Sequence, residues 1–149
     1  MKAIYTHIPS AIERILVPVV LATLMLVGVS RSLKTAGSKT RIVALEPTES
    51  PALTRGHGGA HRIEGIATGK IPPHLDRSDY DDALALDEAE ARKMARRMAA
   101  EEGVFAGTSS GLNVAAAVHL ARELGPGHRV VTVAVDSGMK YLAGDLFTG

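Results

Sequence analysis

"GVFAGTSSGLNVAAAVHLA", Gly103 to Ala121, decides how the rest of this 149-residue chain is read. "VFAG" is a brief strand or approach, Ser109 or Ser110 stands where a helix N-cap is wanted, and Leu112 to Leu124 keeps small apolar residues at helical spacing. Gly125-Pro126-Gly127 stops that helix, and "RVVTVAV", Arg129 to Val135, reads as the clearest strand in the chain. Helix and strand filled with Ala, Val, Leu and Gly rather than aromatics favour helices laid closely on a parallel sheet, an α/β fold. Asp136-Ser137-Gly138 lies just beyond the carboxyl end of that strand, the edge at which open parallel sheets gather ligands.

The same alternation continues upstream. "RIVALEP", Arg41 to Pro47, is a β-branched run ended by proline and reads as a buried strand. "DEAEARKMARRMAAEEG" places Ala91, Met94, Ala95 and Met98 on one helix face, with Asp87 and Glu90 suited to a capping box and Gly103 to the helix end. Between them, residues 48 to 82 repeat Gly and Pro, and so long an irregular stretch inside one domain is functional or disordered. "ILVPVVLATLMLVGV", Ile15 to Val29, is an apolar run that raises the question of a membrane anchor. As a helix it would cover about 22 Å of a roughly 30 Å hydrocarbon core. Pro18 and Gly28 weaken it further, so a buried strand followed by a buried helix turn is expected, with "SRSLKTAGSKTR" returning to the surface.

Composition narrows the function. Seventeen basic residues against sixteen acidic ones give a net charge of +1, and two Phe, three Tyr and no Trp leave little for stacking bases, which argues against a nucleic-acid partner. The absence of cysteine excludes disulfides, thiolate metal sites and a cysteine nucleophile, and it suits the reducing cytoplasm expected here. His57 and His61 sit in glycine-rich "HGGAH" without an evident third ligand, so no metal is expected. Ser109 has no nearby His and acid for a hydrolytic triad, His119 being ten residues on along the next helix. Met94 and Met98 read as core.

Physically, a helix start offers unpaired N–H groups and the positive dipole end, and a serine hydroxyl both donates and accepts. Gly107-Thr108-Ser109-Ser110-Gly111 is therefore able to hold an anion or a heterocyclic nitrogen, although spacing alone favours an ordinary cap, since Ser and Gly are common there in any protein.

Four segments in register add to this: "LEPTESP", "HRIEGIATGKIPPHLD", "ARRMAAEEGVFAGTSSGLNVAAA" and "DSGMKYLAGDLF". From about Val27 to Gly149 the chain resembles the C-terminal part of the cysteine synthase (O-acetylserine sulfhydrylase) family, whose pattern cystathionine β-synthases share. The resemblance implies an incomplete large domain of the tryptophan-synthase-β-like fold, a three-layer sandwich with a mostly parallel sheet. It also implies pyridoxal phosphate as cofactor, replacement of the β-substituent of a serine derivative by sulfide to form L-cysteine, a small amino-acid substrate and a homo-oligomer. Carried over, the glycine-x-serine turn falls on Gly107, Thr108 and Ser109, with Ser109 on the pyridine nitrogen. A neutral hydroxyl partner there suits β-elimination and replacement. Gly65 and Thr68 fall at the active-site mouth, and Asp136 and Ser137 beside the cofactor ring.

Departures are equally specific. The family holds the cofactor aldehyde with a lysine in a Ser-x-Lys motif, and none of Lys2, Lys34, Lys39, Lys70, Lys93 and Lys140 matches it. The family's Gly-Thr-Gly-Gly-Thr phosphate cradle falls on Leu21-Ala22-Thr23-Leu24-Met25, where leucine and methionine side chains are expected to crowd the phosphate and offer no donor. Residues 1–26 are therefore set apart as a divergent apolar segment from the cysteine-synthase-like 27–149. Two readings stand: part of an enzyme whose isolated chain lacks turnover and needs a missing N-terminal half, or a non-catalytic interaction module, in one variant membrane-tethered through residues 15–29.

Overall fold

The computed structural model describes the backbone of residues 14–18 together with residues 23–66 and 69–148. Four parallel strands, β1 (Arg14–Pro18), β2 (Arg41–Pro47), β3 (Asp82–Leu86) and β4 (Val130–Val131), form one sheet in the order β3-β2-β1-β4. Helix α1 (Thr23–Thr35) follows β1, the single-turn α2 (Ala52–Arg55) follows β2, and α3 (Glu88–Glu102) and α4 (Thr108–Leu124) lie between β3 and β4.

Strand β2 shows why the architecture has three layers. Six of its residues, Ile42 to Pro47, are buried, and successive side chains point to opposite faces. Ile42 and Ala44 join Leu26, Val27 and Leu33 of α1 on one side, together with Leu75 and Tyr80. Val43 and Leu45 join Leu86, Ala91, Leu112, Ala115, Ala116 and Leu120 on the other. Full burial of one such Leu, Ile or Val side chain contributes about 1.5–3 kcal/mol. The expected α/β sandwich with a parallel sheet is what forms.

The Asp87 cap and the Gly103 stop of α3 form as read. Asp87 caps α3, its carboxylate accepting from the N–H groups of Ala89 and Glu90, and Gly103 ends the helix in the left-handed region at φ 68°. Helices α3 and α4 approach to backbone contact at Gly111, where an added Cβ would lie 2.1 Å from the carbonyl oxygen of Ala91. The apolar run Ile15–Val29 is divided between β1, in the middle of the sheet, and α1, with residues 19–22 outside the described part. Helix α1 crosses the position between residues 26 and 27 and runs on through "SRSLKT", burying Ser30 and Leu33 where a return to the surface was expected. Among the described residues no helix is long and apolar enough to cross a membrane.

Three expectations need correction. The irregular stretch 48–82 is packed: Ile63, Ile66, Leu75 and Tyr80 are buried. Its glycines allow backbone to lie on backbone, since a Cβ on Gly59 would meet the carbonyl oxygen of Glu49 at 2.0 Å. Strand β3 at its end was not anticipated; "DALAL" is short and lies on the sheet edge, where alternation is the only signal. Finally, "RVVTVAV" contributes only Val130 and Val131 to the sheet, paired with Arg14 and Ile15. Beyond Val131 the chain turns toward α4, where Asn113 Nδ2 donates to the carbonyl of Val133 at 2.7 Å and the N–H of Val135 donates to Ser110 Oγ at 2.9 Å.

Candidate active site

Strand order locates the site. β1, β2 and β3 are laid down successively in one direction, and the chain then returns to place β4 on the free side of β1. The carboxyl ends of β1 and β4 therefore flank a topological switch point, the place where ligands bind in open α/β sheets. Helix α1 starts just after β1 ends. The start of α4 is fastened to the segment leaving β4, for the Gly107 N–H donates to the Asp136 carbonyl at 3.3 Å and Ser110 Oγ receives Val135. The start of α4 and the first described turn of α1 thus both lie toward the carboxyl edge of the sheet.

The cap of α4 differs from the expected one. Gly107, in extended backbone, is the N-cap; Thr108, Ser109 and Ser110 form the first turn, and the first helical bond runs from the Gly111 N–H to the Gly107 carbonyl. Neither serine caps the helix: both lie inside its first turn, and the Ser110 hydroxyl accepts the incoming Val135 N–H. The N–H groups of the first turn precede the first helical bond, which leaves them as ready donors. Ser109 is 5% exposed at the second helical position. Thr108 Oγ1 accepts the Glu64 N–H at 3.3 Å, which ties the 61–66 segment to this turn.

Gly65, the next residue, is exposed with φ 78°, a left-handed turn position open to solvent on all sides of a would-be Cβ. Thr68 lies outside the described residues. Asp136 Oδ2 accepts the hydroxyl of buried Tyr141 at 2.7 Å, while its Oδ1 is buried without a partner. Ser137 turns away to its own chain: its hydroxyl accepts the Met139 N–H and caps the 3₁₀ turn Gly138–Tyr141. The structure thus brings Gly107, Thr108, Ser109 and Asp136 together and connects Gly65 through Glu64.

The sequence reading did not single out Tyr141, whose ring packs against Gly107. A Cβ on Gly107 would fall 2.3 Å from Tyr141 Cε2 and 2.6 Å from Asp136 Oδ1, so only glycine fits that cap. Burial, and then the hydrogen bond to the Asp136 carboxylate, push the Tyr141 phenol well above the ordinary tyrosine range. It stays protonated and acts as a fixed donor. Asn113, fully buried one turn into α4, likewise leaves its Oδ1 without a partner. Among the described residues no three His, Cys, Asp or Glu side chains gather to hold a metal.

At the other helix start, Thr23 is fully buried and its Oγ1 has no partner. Leu24, expected to crowd that position, is 71% exposed.

A family model described as pyridoxal-phosphate dependent enzyme matches residues 2–136. The chain belongs to this family. It is 43% identical over 124 residues to the O-ureido-L-serine synthase of Streptomyces lavendulae and 42% identical over 121 residues to a cysteine synthase of Staphylococcus aureus. These alignments cover 83% and 81% of this chain but 38% and 39% of the relatives. Among solved structures it is similar to O-ureido-L-serine synthase, with a TM-score of 0.87 at 39% identity over 93% of this chain and 43% of that one. An O-acetylserine sulfhydrylase of Entamoeba histolytica superposes with a TM-score of 0.85 at 30% identity, over 92% of this chain and 41% of its own. The chain spans about two-fifths of the length of the relatives it matches. The fold is that of the tryptophan-synthase-β-like pyridoxal-phosphate enzymes, and the family implies that cofactor.

Proposed function

We propose that this chain is the pyridine-nitrogen side of a cysteine-synthase-type active site. In that reading it completes a β-replacement enzyme, acting on O-acetylserine or a related activated serine, when the rest of the family fold is present. The observation that carries this is Ser109: a nearly buried serine in the first turn of α4, at the switch point between β1 and β4.

The residues suit the cofactor unevenly. On the ring side the hydroxyl of Ser109 and the donors of the first turn of α4 fit a neutral heterocycle, and Asp136 with Tyr141 backs the glycine cap. On the phosphate side α1 offers the orphaned Thr23 hydroxyl, but Leu24 and Met25 supply no side-chain donor. Pyridoxal phosphate, when bound, supplies the electron sink for loss of the β-substituent. Ser109 would hold the ring nitrogen with a neutral group, while the Tyr141 hydroxyl fixes the Asp136 carboxylate and Gly107 keeps the cap narrow. All five lysines among the described residues, Lys34, Lys39, Lys70, Lys93 and Lys140, are exposed. We therefore read the isolated chain as lacking turnover and in need of the lysine-bearing portion of the fold; the absence of cysteine supports a cytoplasmic setting.

The test mixes the purified chain with pyridoxal phosphate, alone and with the portion of the Streptomyces lavendulae synthase that this chain does not match. Borohydride reduction then traps any lysine adduct for mass spectrometry. The chain alone is expected to give only scattered labelling. The mixture is expected to give one stoichiometric adduct on the added portion, with its cofactor affinity lowered about tenfold by Ser109→Ala, the loss of one good hydrogen bond. A stoichiometric adduct on the chain alone, or affinity indifferent to Ser109, would overturn the proposal.

A further inference from the structure

We infer that Ser110 and Asn113 are positioning residues: together they occupy, in place of a neighbouring strand, the backbone groups of the segment 133–135, and so set Asp136 against the glycine cap of α4. Only the consequence for the cofactor rests on the half-site reading above.

In an extended chain the carbonyl of one residue and the N–H of the residue two places on point to the same side, and one residue of a parallel neighbour takes both, donating to the first and accepting from the second. Here α4 takes both. Asn113 Nδ2 donates to the Val133 carbonyl at 2.7 Å, and the Val135 N–H donates to Ser110 Oγ at 2.9 Å. An amide and a hydroxyl three residues apart lie on one face of a helix, and between them they present the donor and the acceptor that a strand residue would. Both side chains are fully buried, and neither caps α4. Asn113 also carries the cost of an unpartnered Oδ1, which a leucine of similar shape would avoid; its bond to Val133 is what offsets that cost.

The clamp continues a set of antiparallel ties. The Gly138 N–H donates to the Phe105 carbonyl at 3.0 Å and the Gly107 N–H to the Asp136 carbonyl at 3.3 Å, with Ala106 and Ser137 bridged between them. Residues 105, 107, 110 and 113 thus meet 138, 136, 135 and 133 in turn. Asp136 is held from both sides, by the backbone of Gly107 and by the two α4 side chains that fasten the residues before it. In that place its Oδ2 receives the Tyr141 hydroxyl. Register is what the clamp protects: a slip of one residue would carry Asp136 about 3.3 Å along the chain and turn its side chain to the opposite face.

The experiment uses the 149-residue chain without cofactor and two variants, Ser110→Ala, which removes the acceptor, and Asn113→Leu, which removes the donor at similar volume. Amide hydrogen exchange is followed by nuclear magnetic resonance. In the parent the Val135 and Gly107 amides are expected to be protected, and each variant should speed their exchange by about tenfold or more while the amides of β2 and α3 keep the parent rates. Ionisation of Tyr141, followed by ultraviolet absorbance as the difference from Tyr141→Phe, should move down toward the ordinary value of about 10 in both variants, because Asp136 no longer sits where it accepts the hydroxyl. A role in packing alone would leave that ionisation in place. A freely exchanging Val135 amide in the parent would overturn the inference, and that result is available even if both variants fail to fold. Folded variants with unchanged Gly107 exchange and unchanged Tyr141 ionisation would overturn it too, as would acceleration spread evenly over β2 and α3. With the unmatched portion of the Streptomyces lavendulae synthase added, Ser110→Ala should also lower cofactor affinity about tenfold. Faster exchange at Gly107 with cofactor affinity indifferent to both Ser110→Ala and Ser109→Ala would leave the clamp standing and remove the half-site reading.

Discussion

Glycine to alanine substitutions at two helical positions are expected to act in opposite directions, for a reason visible only in the packing. Gly28 in α1 and Gly111 in α4 both have ordinary helical backbone, and alanine is favoured over glycine in a helix by about 1 kcal/mol. At Gly28 an added Cβ meets nothing within 4 Å. Gly28→Ala should therefore stabilise by up to about 1 kcal/mol, raising Tm by about 3 °C for a chain of this size. At Gly111 the Cβ would lie 2.1 Å from the Ala91 carbonyl oxygen, short by about 1.2 Å of an ordinary C···O contact. The obstacle is backbone of α3, held on both sides by its own helix, and Ala95 Cβ stands 3.0 Å away behind it. An overpacking cost of about 3 kcal/mol less the helix gain of about 1 leaves Gly111→Ala about 2 kcal/mol less stable. That corresponds to a fall of about 6 °C. Urea and thermal unfolding followed by far-ultraviolet circular dichroism measure both. If Gly111→Ala were as stable as the parent while Gly28→Ala was stabilised, the close approach of α3 and α4 would be refuted.

Other expectations are briefer. Asp87→Ala removes a cap that accepts two N–H groups at the start of α3 and should cost about 1 kcal/mol in urea unfolding, with Asp87→Asn largely retaining it. The Tyr141 phenol is held protonated by burial and by Asp136, so its folded pKa exceeds its unfolded one. As pH rises past about 10, where an unfolded tyrosine ionises, stability should fall, and Tyr141→Phe should flatten that alkaline limb of a denaturation series. At the acid end, the two hydrogen bonds from Arg31 hold the Asp79 carboxyl below the usual range. Its contribution is present above the unfolded carboxylate pKa of about 4 and is lost as pH falls through the lower folded value, so Asp79→Asn should be less stable at neutral pH and show a shallower acid limb.

Local chemistry in the sequence determined much of this protein. The fold class followed from βα alternation, α3 from its cap, its Ala/Met face and Gly103, and α4 from its small apolar face and terminal glycine. These are short-range effects, decided by the backbone and its nearest neighbours. Ser109 drew attention because four segments in register resemble a family pattern, and in the structure it lies nearly buried in the first turn of α4.

Tertiary structure decided what local rules could not. Gly107 rather than a serine caps α4, in a position where Tyr141 and Asp136 leave no room for a Cβ, and the Ser110 hydroxyl is taken by Val135, twenty-five residues away in sequence. Tyr141 entered the site through a hydrogen bond to Asp136 and a ring packed against Gly107, neither of which a spacing can show. "RVVTVAV" reads as the clearest strand and contributes only Val130 and Val131 to the sheet, because Val133 and Val135 spend backbone groups on Asn113 and Ser110 of α4, a competition that local propensity does not register.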